Sequence, residues 1–467
     1  MHLAIIGGSD AGISAALRAR ELDPAVDITV LLADAYPNFS ICGIPYYISG
    51  AVERWEHLAH RTVAELESVG IALRLNTTAQ RIDAEAHTAI VRDQAGTSLV
   101  VPYHRLVVAT GAAAIAPPIA GLSGPDALGS DEGVHLLHTM EDAFAVMRNL
   151  QAERLQRAVI VGAGYIGLEI AEALTERGLA VTQVEQLPEV LPTVDWEIGS
   201  LIHAELSDKG VDVRCGTAVT KIARAGRLGA RGLEVSTTSD SGPEILAADI
   251  VLVVAGVRPD SWLAAEAGVA VDPRGAIQVD RRMRTSLPDI FAAGDCVATY
   301  HRLLGMTYLP LGTTAHKQGR VAGENALGGS REFEGSLGTQ VVKIFDMAVA
   351  RTGLRDREAF SVGFSPETIA HTADDHKAYF PGSRRLSIRL TGDRASGRLL
   401  GVQMFGHRHS EVAKRIDAAA VAIFHEMTVD GYSDLDLSYT PPLGSPWDAI
   451  QAAAQVWLRT VGDGTNH

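Results

Sequence analysis

Ala158-Val159-Ile160-Val161-Gly162-Ala163-Gly164-Tyr165-Ile166-Gly167, continued by Leu168 to Arg177, reads as a buried strand, a glycine turn and a helix. Gly162 permits the tight turn, Gly164 lets a pyrophosphate approach the backbone, and Gly167 lets helix and strand pack closely. The amides at the helix N-terminus then face phosphate. Glu185 closes the next strand, Val181-Thr182-Gln183-Val184, twenty-three residues after Gly162. A carboxylate there accepts the ribose hydroxyls and repels a 2′-phosphate, so NADH is expected in preference to NADPH, with NADPH possible.

A second unit of the same kind opens the chain. Leu3-Ala4-Ile5-Ile6 leads into Gly7-Gly8-Ser9-Asp10-Ala11-Gly12 and a helical run from Ile13 to Glu21. It departs from the pattern twice. Ser9 replaces the middle glycine, and Leu32, twenty residues after Gly12, stands where an acid is expected, with Asp34 two residues further on as a substitute. Two further stretches support the pair: Val107-Val108-Ala109-Thr110-Gly111 and Ile290-Phe291-Ala292-Ala293-Gly294-Asp295. Asp295 follows a tight glycine and suits a ribitol hydroxyl. The expected fold is α/β, with two Rossmann-like dinucleotide-binding domains.

Length and composition set the bounds. A chain of 467 residues divides into roughly two to four domains. Its 46% hydrophobic and 21% charged content is that of a globular protein. A net charge of −15 argues against nucleic acid or an anionic membrane as partner. Cys42, Cys215 and Cys296 are too few for a disulfide framework, so a reducing, cytoplasmic setting is expected. Leu3 to Ala16 lacks the basic leader of a signal peptide, and the apolar run Ile250 to Val257 is far short of a membrane span.

Ala112 to Asp131 reads as a linker, Arg224 to Gly232 as a loop, and Thr314 to Leu327 as a helix stopped by Gly328-Gly329. Leu337 to Val349 and Arg385 to Thr391 look β-like, Glu411 to Glu426 looks helical, and the last few residues look disordered. The sixteen histidines show no ligand spacing, and no metal is expected. Cys215 and Cys296 read as core cysteines without a redox role.

The remaining cysteine is different. Asn38-Phe39-Ser40-Ile41-Cys42-Gly43-Ile44-Pro45-Tyr46-Tyr47 places Cys42 thirty residues after Gly12, with Tyr47 where a dithiol flavoenzyme carries its second cysteine. A lone thiol in this setting points to a mixed disulfide or a sulfenic acid.

On these stretches, together with Gly164-Tyr165-Ile166-Gly167-Leu168-Glu169, Val254-Ala255-Gly256-Val257-Arg258-Pro259 and Lys317-Gln318-Gly319-Arg320, the chain resembles the FAD-dependent pyridine nucleotide–disulfide oxidoreductases over essentially its whole length. Within them it is similar to the single-cysteine branch of coenzyme A-disulfide reductases, NADH oxidases and NADH peroxidases. The resemblance implies FAD binding by residues 1–112 and 247–328, NAD(P)H binding by residues 113–246, and a C-terminal α+β dimerisation domain at residues 329–467. It implies cofactor contacts at Gly7, Gly8, Ser9, Ala11, Gly12, Asp34, Ala79, Thr110 and Gly111. It implies others at Gly162, Gly164, Tyr165, Ile166, Gly167, Glu169, Glu185, Gly256, Gly294, Asp295 and Ala315. Tyr165 would cover the flavin face that receives hydride, and Cys42 would take electrons on the other face as a thiolate favoured by helix N-termini.

Ala378-Tyr379-Phe380-Pro381-Gly382 and Leu437-Ser438-Tyr439-Thr440-Pro441-Pro442 resemble segments whose tyrosines reach the other subunit's active site in coenzyme A-disulfide reductases. Tyr379 and Tyr439 are therefore candidate catalytic acids. Asp10 replaces the histidine usual in the oxidases and peroxidases, and reads more simply as a helix cap. Ile41 and Glu21 stand where the reductases usually have Asn and a phosphate-binding Arg, with Arg18 and Arg20 as possible replacements. The expectation is a homodimeric, FAD-dependent, NADH-preferring enzyme that reduces a small-molecule disulfide through Cys42. The alternatives are an NADH oxidase or peroxidase that cycles Cys42 through sulfenic acid, and a redox-sensing or electron-delivery flavoprotein acting on a protein partner.

Overall fold

The computed structural model describes residues 1–152, 155–225 and 232–463. The expected loop from Arg224 to Gly232 and the expected disordered tail fall largely outside these residues.

Each glycine unit is the centre of a five-stranded parallel sheet. In the first, the order is Ile290–Ala292, Arg105–Val108, His2–Ile6, Asp27–Leu31 and Ile71–Arg74. In the second it is Asp212–Arg214, Ala180–Val184, Arg157–Val161, Ile250–Val253 and Val134–Leu136. Parallel strands covered on both faces have no polar side, which is why Ala4-Ile5-Ile6 and Val159-Ile160-Val161 read as unbroken apolar runs. Each fully buried aliphatic side chain, Ile5, Val107 and Ile160 among them, contributes about 1.5–3 kcal/mol.

Both glycine-loop helices begin earlier than the sequence suggests, at Asp10–Leu22 and Tyr165–Glu176. Gly12 and Gly167 are not turn residues but lie inside the first helical turn. A Cβ on Gly12 would come within 1.9 Å of the Gly7 carbonyl oxygen, and one on Gly167 within 2.2 Å of that of Gly162. Glycine is needed there for contact, not for flexibility. The helix Gly312–Ala326 then crosses Asp10–Leu22 closely at Gly319, where a Cβ would meet the Ala11 carbonyl oxygen at 2.2 Å.

The expected linker is partly ordered. Ala112–Ala114 pairs antiparallel with Val257–Pro259, because each segment leaves a parallel sheet at the same end and finds its backbone partner in the other. Residues beyond Gly338 form a third, antiparallel sheet in the order Gln340–Ile344, Met347–Gly353, Leu399–His407, Arg385–Asp393 and Pro366–Asp374. Phe345, at positive φ, turns the chain in the middle of the stretch read as one strand. Helices Val412–Phe424 and Ala449–Asp463 pack on this sheet. Among the described residues, no helix is long and apolar enough to cross a membrane.

Candidate active site

The two glycine units superpose by their hydrogen bonds. Gly7 N–H donates to Leu31 O at 2.9 Å as Gly162 N–H donates to Val184 O at 2.8 Å. Leu32 N–H and Glu185 N–H donate to Arg74 O and Arg214 O, while Thr77 and Thr217 donate back to Leu32 O and Glu185 O. Leu32 and Glu185 therefore occupy one position in two copies of one motif. Glu185 is buried, and its carboxylate accepts from Ala163 N–H at 2.7 Å and Leu187 N–H at 2.9 Å. Leu32 instead packs over Gly8, where an added Cβ would lie 2.1 Å from its Cδ2. Asp34 is outside this register, accepting from Tyr36 N–H at 2.9 Å, and burial pushes its carboxyl up.

Between the units lies a cavity of about 1380 Å³. Gly7, Gly8, Ser9, Ala11 and Asp34 line it from the first unit, with Ala79, Thr110 and Gly111 beside them. Gly294, Asp295 and Ala315 contribute another wall, and Tyr165, Ile166 and Glu169 approach from the second unit. Cys42 is on the same cavity. Gly12 and Gly256 are not on its lining, and Gly162, Gly164, Gly167 and Glu185 form a separate turn on the second unit. At both helix starts the preceding residue, Ser9 or Gly164, makes no side-chain cap, so the first-turn amides are left for an anion. A Cβ on Gly111 or Gly164 would meet nothing within 4 Å. Uncapped helix starts, open backbone and a long apolar cavity fit two dinucleotides.

Electrostatics within the cavity run against the expected thiolate. Cys42 is exposed to the cavity by accessible surface, yet crowded by protein atoms. That crowding, then the charges of Glu169, Asp10 and Asp295, pushes its thiol up rather than down. Burial raises Glu169 to about 7 and Asp295 to about 6, with Asp10 adding to the latter. Tyr46 donates its hydroxyl proton to Glu169 at 3.1 Å, and burial lifts Tyr165 to about 12.

Asp10 is not a cap. It lies inside the helix, and its Oδ1 is 3.2 Å from His316 Nε2, whose Nδ1 is 2.9 Å from Ser14 Oγ. The hydrogen bond to Asp10 holds the His316 imidazole above its usual range, favouring the cation. His316, His60, Arg61 and Arg320 line an adjoining cleft of about 470 Å³ with Ser14 and Asn38. Sequence reading passed over these groups, although His316 directly precedes the Lys317-Gln318-Gly319-Arg320 motif. Arg18 and Arg20 do not replace a lost phosphate ligand. Arg18 pairs with Glu324 at 2.6 Å and Glu21 at 3.0 Å, and Arg20 donates to Gly70 O at 2.7 Å.

Tyr379 and Tyr439 lie close together on the surface of the third sheet's domain, 73% and 44% exposed. Neither lines the Cys42 cavity within the chain. Cys296 is buried, with its sulfur 3.4 Å from Ala293 O, as a core cysteine should be. Cys215 is not core. It sits half-buried beside Glu189 and His203.

Residues 1–319 match the family described as pyridine nucleotide-disulphide oxidoreductase, and residues 339–449 match its dimerisation domain. An NAD(P)H sulfur oxidoreductase (CoA-dependent) of Pyrococcus abyssi is 33% identical over 97% of this chain and 97% of its own. A coenzyme A disulfide reductase of Staphylococcus haemolyticus is 27% identical over 96% of this chain and 97% of its own. The solved structure of an NAD-dependent persulfide reductase from A. fulgidus superposes with a TM-score of 0.92 at 35% identity, covering 100% of this chain and 84% of that one.

Proposed function

Because the chain belongs to the pyridine nucleotide-disulphide oxidoreductases, a family that binds FAD and NAD(P)H, we propose that it reduces a small anionic disulfide or persulfide through Cys42. The observation that carries this reading is the position of Cys42. It is one thiol on the cavity between the two glycine units, and Cys215 and Cys296 are absent from the lining.

The first glycine turn, Thr110, Asp295 and Ala315 would hold FAD. The second turn and Glu185 would hold NADH, with Glu185 disfavouring a 2′-phosphate. Bound FAD supplies the two-electron relay from NAD(P)H to sulfur. Cys42 Sγ, as thiolate, attacks one sulfur of the substrate, forming a mixed disulfide and expelling the other sulfur as a thiolate. His316, whose imidazole Asp10 biases toward the cation, lies on the cavity wall that Cys42 shares. His60, Arg61 and Arg320 add cationic character to the adjoining cleft, which suits a phosphorylated thiol such as coenzyme A.

The exposed pair Tyr379 and Tyr439 fits a dimer in which these phenols reach the Cys42 cavity of a second copy and protonate the leaving thiolate. Exposed Leu443 and Trp447 nearby supply apolar surface for that contact.

Anaerobic reduction by NADH, followed by titration with coenzyme A disulfide, persulfide, other low-molecular-weight disulfides and peroxide, tests the reading. Flavin reoxidation by a disulfide or persulfide is expected. Reoxidation by peroxide or admitted oxygen alone would replace the reading with an oxidase or peroxidase. Cys42→Ser should keep its flavin and lose disulfide turnover, and retained turnover would refute the thiol mechanism.

A further inference from the structure

Away from the cavity between the glycine units, three metal-ligating side chains converge. Glu189 Oε1, His203 Nδ1 and Cys215 Sγ all lie within 4.8 Å of one another. Glu189 to His203 is 3.0 Å, Cys215 to Glu189 3.7 Å, and Cys215 to His203 3.9 Å. Separated by fourteen and twelve residues, they carry no sequence signature.

The arrangement is not a nucleophilic relay. In such a relay the imidazole bridges thiol and carboxylate through its two different nitrogens. Here Nδ1 faces both partners, and all three donor atoms point at one another. That is the geometry of ligands around a shared centre. Zinc bonds of about 2.3 Å to sulfur and about 2.0–2.2 Å to nitrogen and oxygen, at tetrahedral angles, give ligand-to-ligand edges of about 3.4–3.6 Å. The three observed separations bracket that range.

The cluster is also held in place. Val190 N–H donates to Glu189 Oε1 at 2.9 Å, and Ser200 Oγ donates to Oε2 at 3.1 Å. Gly199 gives the carboxylate room, since a Cβ there would lie 2.5 Å from Glu189 Cγ. All three ligands are partly exposed, leaving a path for an ion.

We propose that Glu189, His203 and Cys215 form a binding site for a thiophilic divalent cation of the Zn²⁺ type, with the fourth position open to water. Metal–sulfur bond formation releases the Cys215 proton to solvent and changes no oxidation state. The site joins the loop after strand Ala180–Val184 to the turn after Asp212–Arg214. That turn already binds the loop through Gly216 N–H to Leu187 O at 2.8 Å and Thr217 N–H to Glu185 O at 2.9 Å. Metal would therefore brace the segment that carries Glu185.

The test uses flavin-loaded Cys42→Ser protein, which removes the competing cavity thiol, after stripping with chelator. Titration with Zn²⁺ should show one equivalent bound and a raised melting temperature. Co²⁺ should give tetrahedral bands at wavelengths beyond the flavin absorption, with a thiolate charge-transfer signal. Adding Cys215→Ser or His203→Gln should weaken binding at least ~100-fold and abolish the melting shift. Unchanged flavin absorption and chelator-state melting in these variants confirm that they are folded. No binding to Cys42→Ser, binding unaffected by Cys215→Ser, or an octahedral Co²⁺ spectrum without a thiolate signal would overturn the proposal.

Discussion

The two glycine units share the turn–helix backbone and its register, yet several side chains around the turn have diverged. Glu185 has Leu32 as its counterpart, Tyr165 has Asp10, and Glu169 has Ser14. The second unit spends its polar groups on its own turn and on Tyr46, with Glu185 binding Ala163 N–H and Glu169 binding the Tyr46 hydroxyl. The first turns them outward: Asp10 and Ser14 both hold His316, on the cavity that contains Cys42. One fold therefore yields a turn closed by its own buried carboxylate and another whose side chains hold a histidine on the Cys42 cavity. Backbone geometry is set by glycine contacts, while function is set by the side chains around it.

The contacts that make the units alike offer the largest test. Gly12→Val and Gly167→Val each drive a side chain into a carbonyl, 1.9 and 2.2 Å from where Cβ would sit, which costs at least about 1–3 kcal/mol of local packing. Gly12→Val should purify without flavin, whereas Gly167→Val should keep flavin and lose its reduction by NADH. Flavin content and stopped-flow reduction separate the two. Identical losses in both variants would break the division of labour.

Next comes the Glu169/Ser14 difference, read through pH. Burial raises Glu169 from 4.5 to about 7, so the folded state holds this proton more tightly than the unfolded chain. The associated stability is fully present below pH 4.5 and is lost as pH rises to about 7. It amounts to up to about 3 kcal/mol. Glu169→Gln should flatten that part of the stability profile in denaturant titrations, and an unchanged slope would mean that the carboxyl titrates normally.

Glu185→Ala removes a charged acceptor worth about 1.5–3 kcal/mol, so KM for NADH should rise roughly 10–100-fold. KM for NADPH should change less. An equal change for both nucleotides would show that Glu185 shapes the turn rather than reading the ribose. The smallest effect is expected from Leu32→Glu, which writes the second unit's acid into the first. FAD dissociation should slow by about tenfold, from a single added hydrogen bond of about 1.5 kcal/mol. An unaltered or faster rate would show that the two positions are equivalent in backbone only.

Much of this was legible in sequence because the parallel strands are buried on both faces and therefore leave unbroken apolar runs. The glycine spacing, Glu185 and the lone Cys42 could be read in the same way, each being local chemistry at fixed intervals. Gly167 was legible as a packing glycine, but both helix starts were placed too late, at Ile13 and Leu168 rather than Asp10 and Tyr165, because a glycine inside a first helical turn looks like the end of a loop. The strand Ala112–Ala114 was missed because its partner, Val257–Pro259, is far away in the chain.

Sequence alone determined the family and the two glycine turns and singled out Cys42, since these depend on neighbours a few residues apart. Only the tertiary structure decided that Asp34 does not fill the position Leu32 holds and that Arg18 and Arg20 serve internal contacts. The same holds for the approach of His316, from more than three hundred residues away, to Asp10 and Ser14, and for the meeting of Glu189, His203 and Cys215. Charge balance and ligand geometry are properties of points in space, and folding assigns those points to residues that the chain keeps far apart.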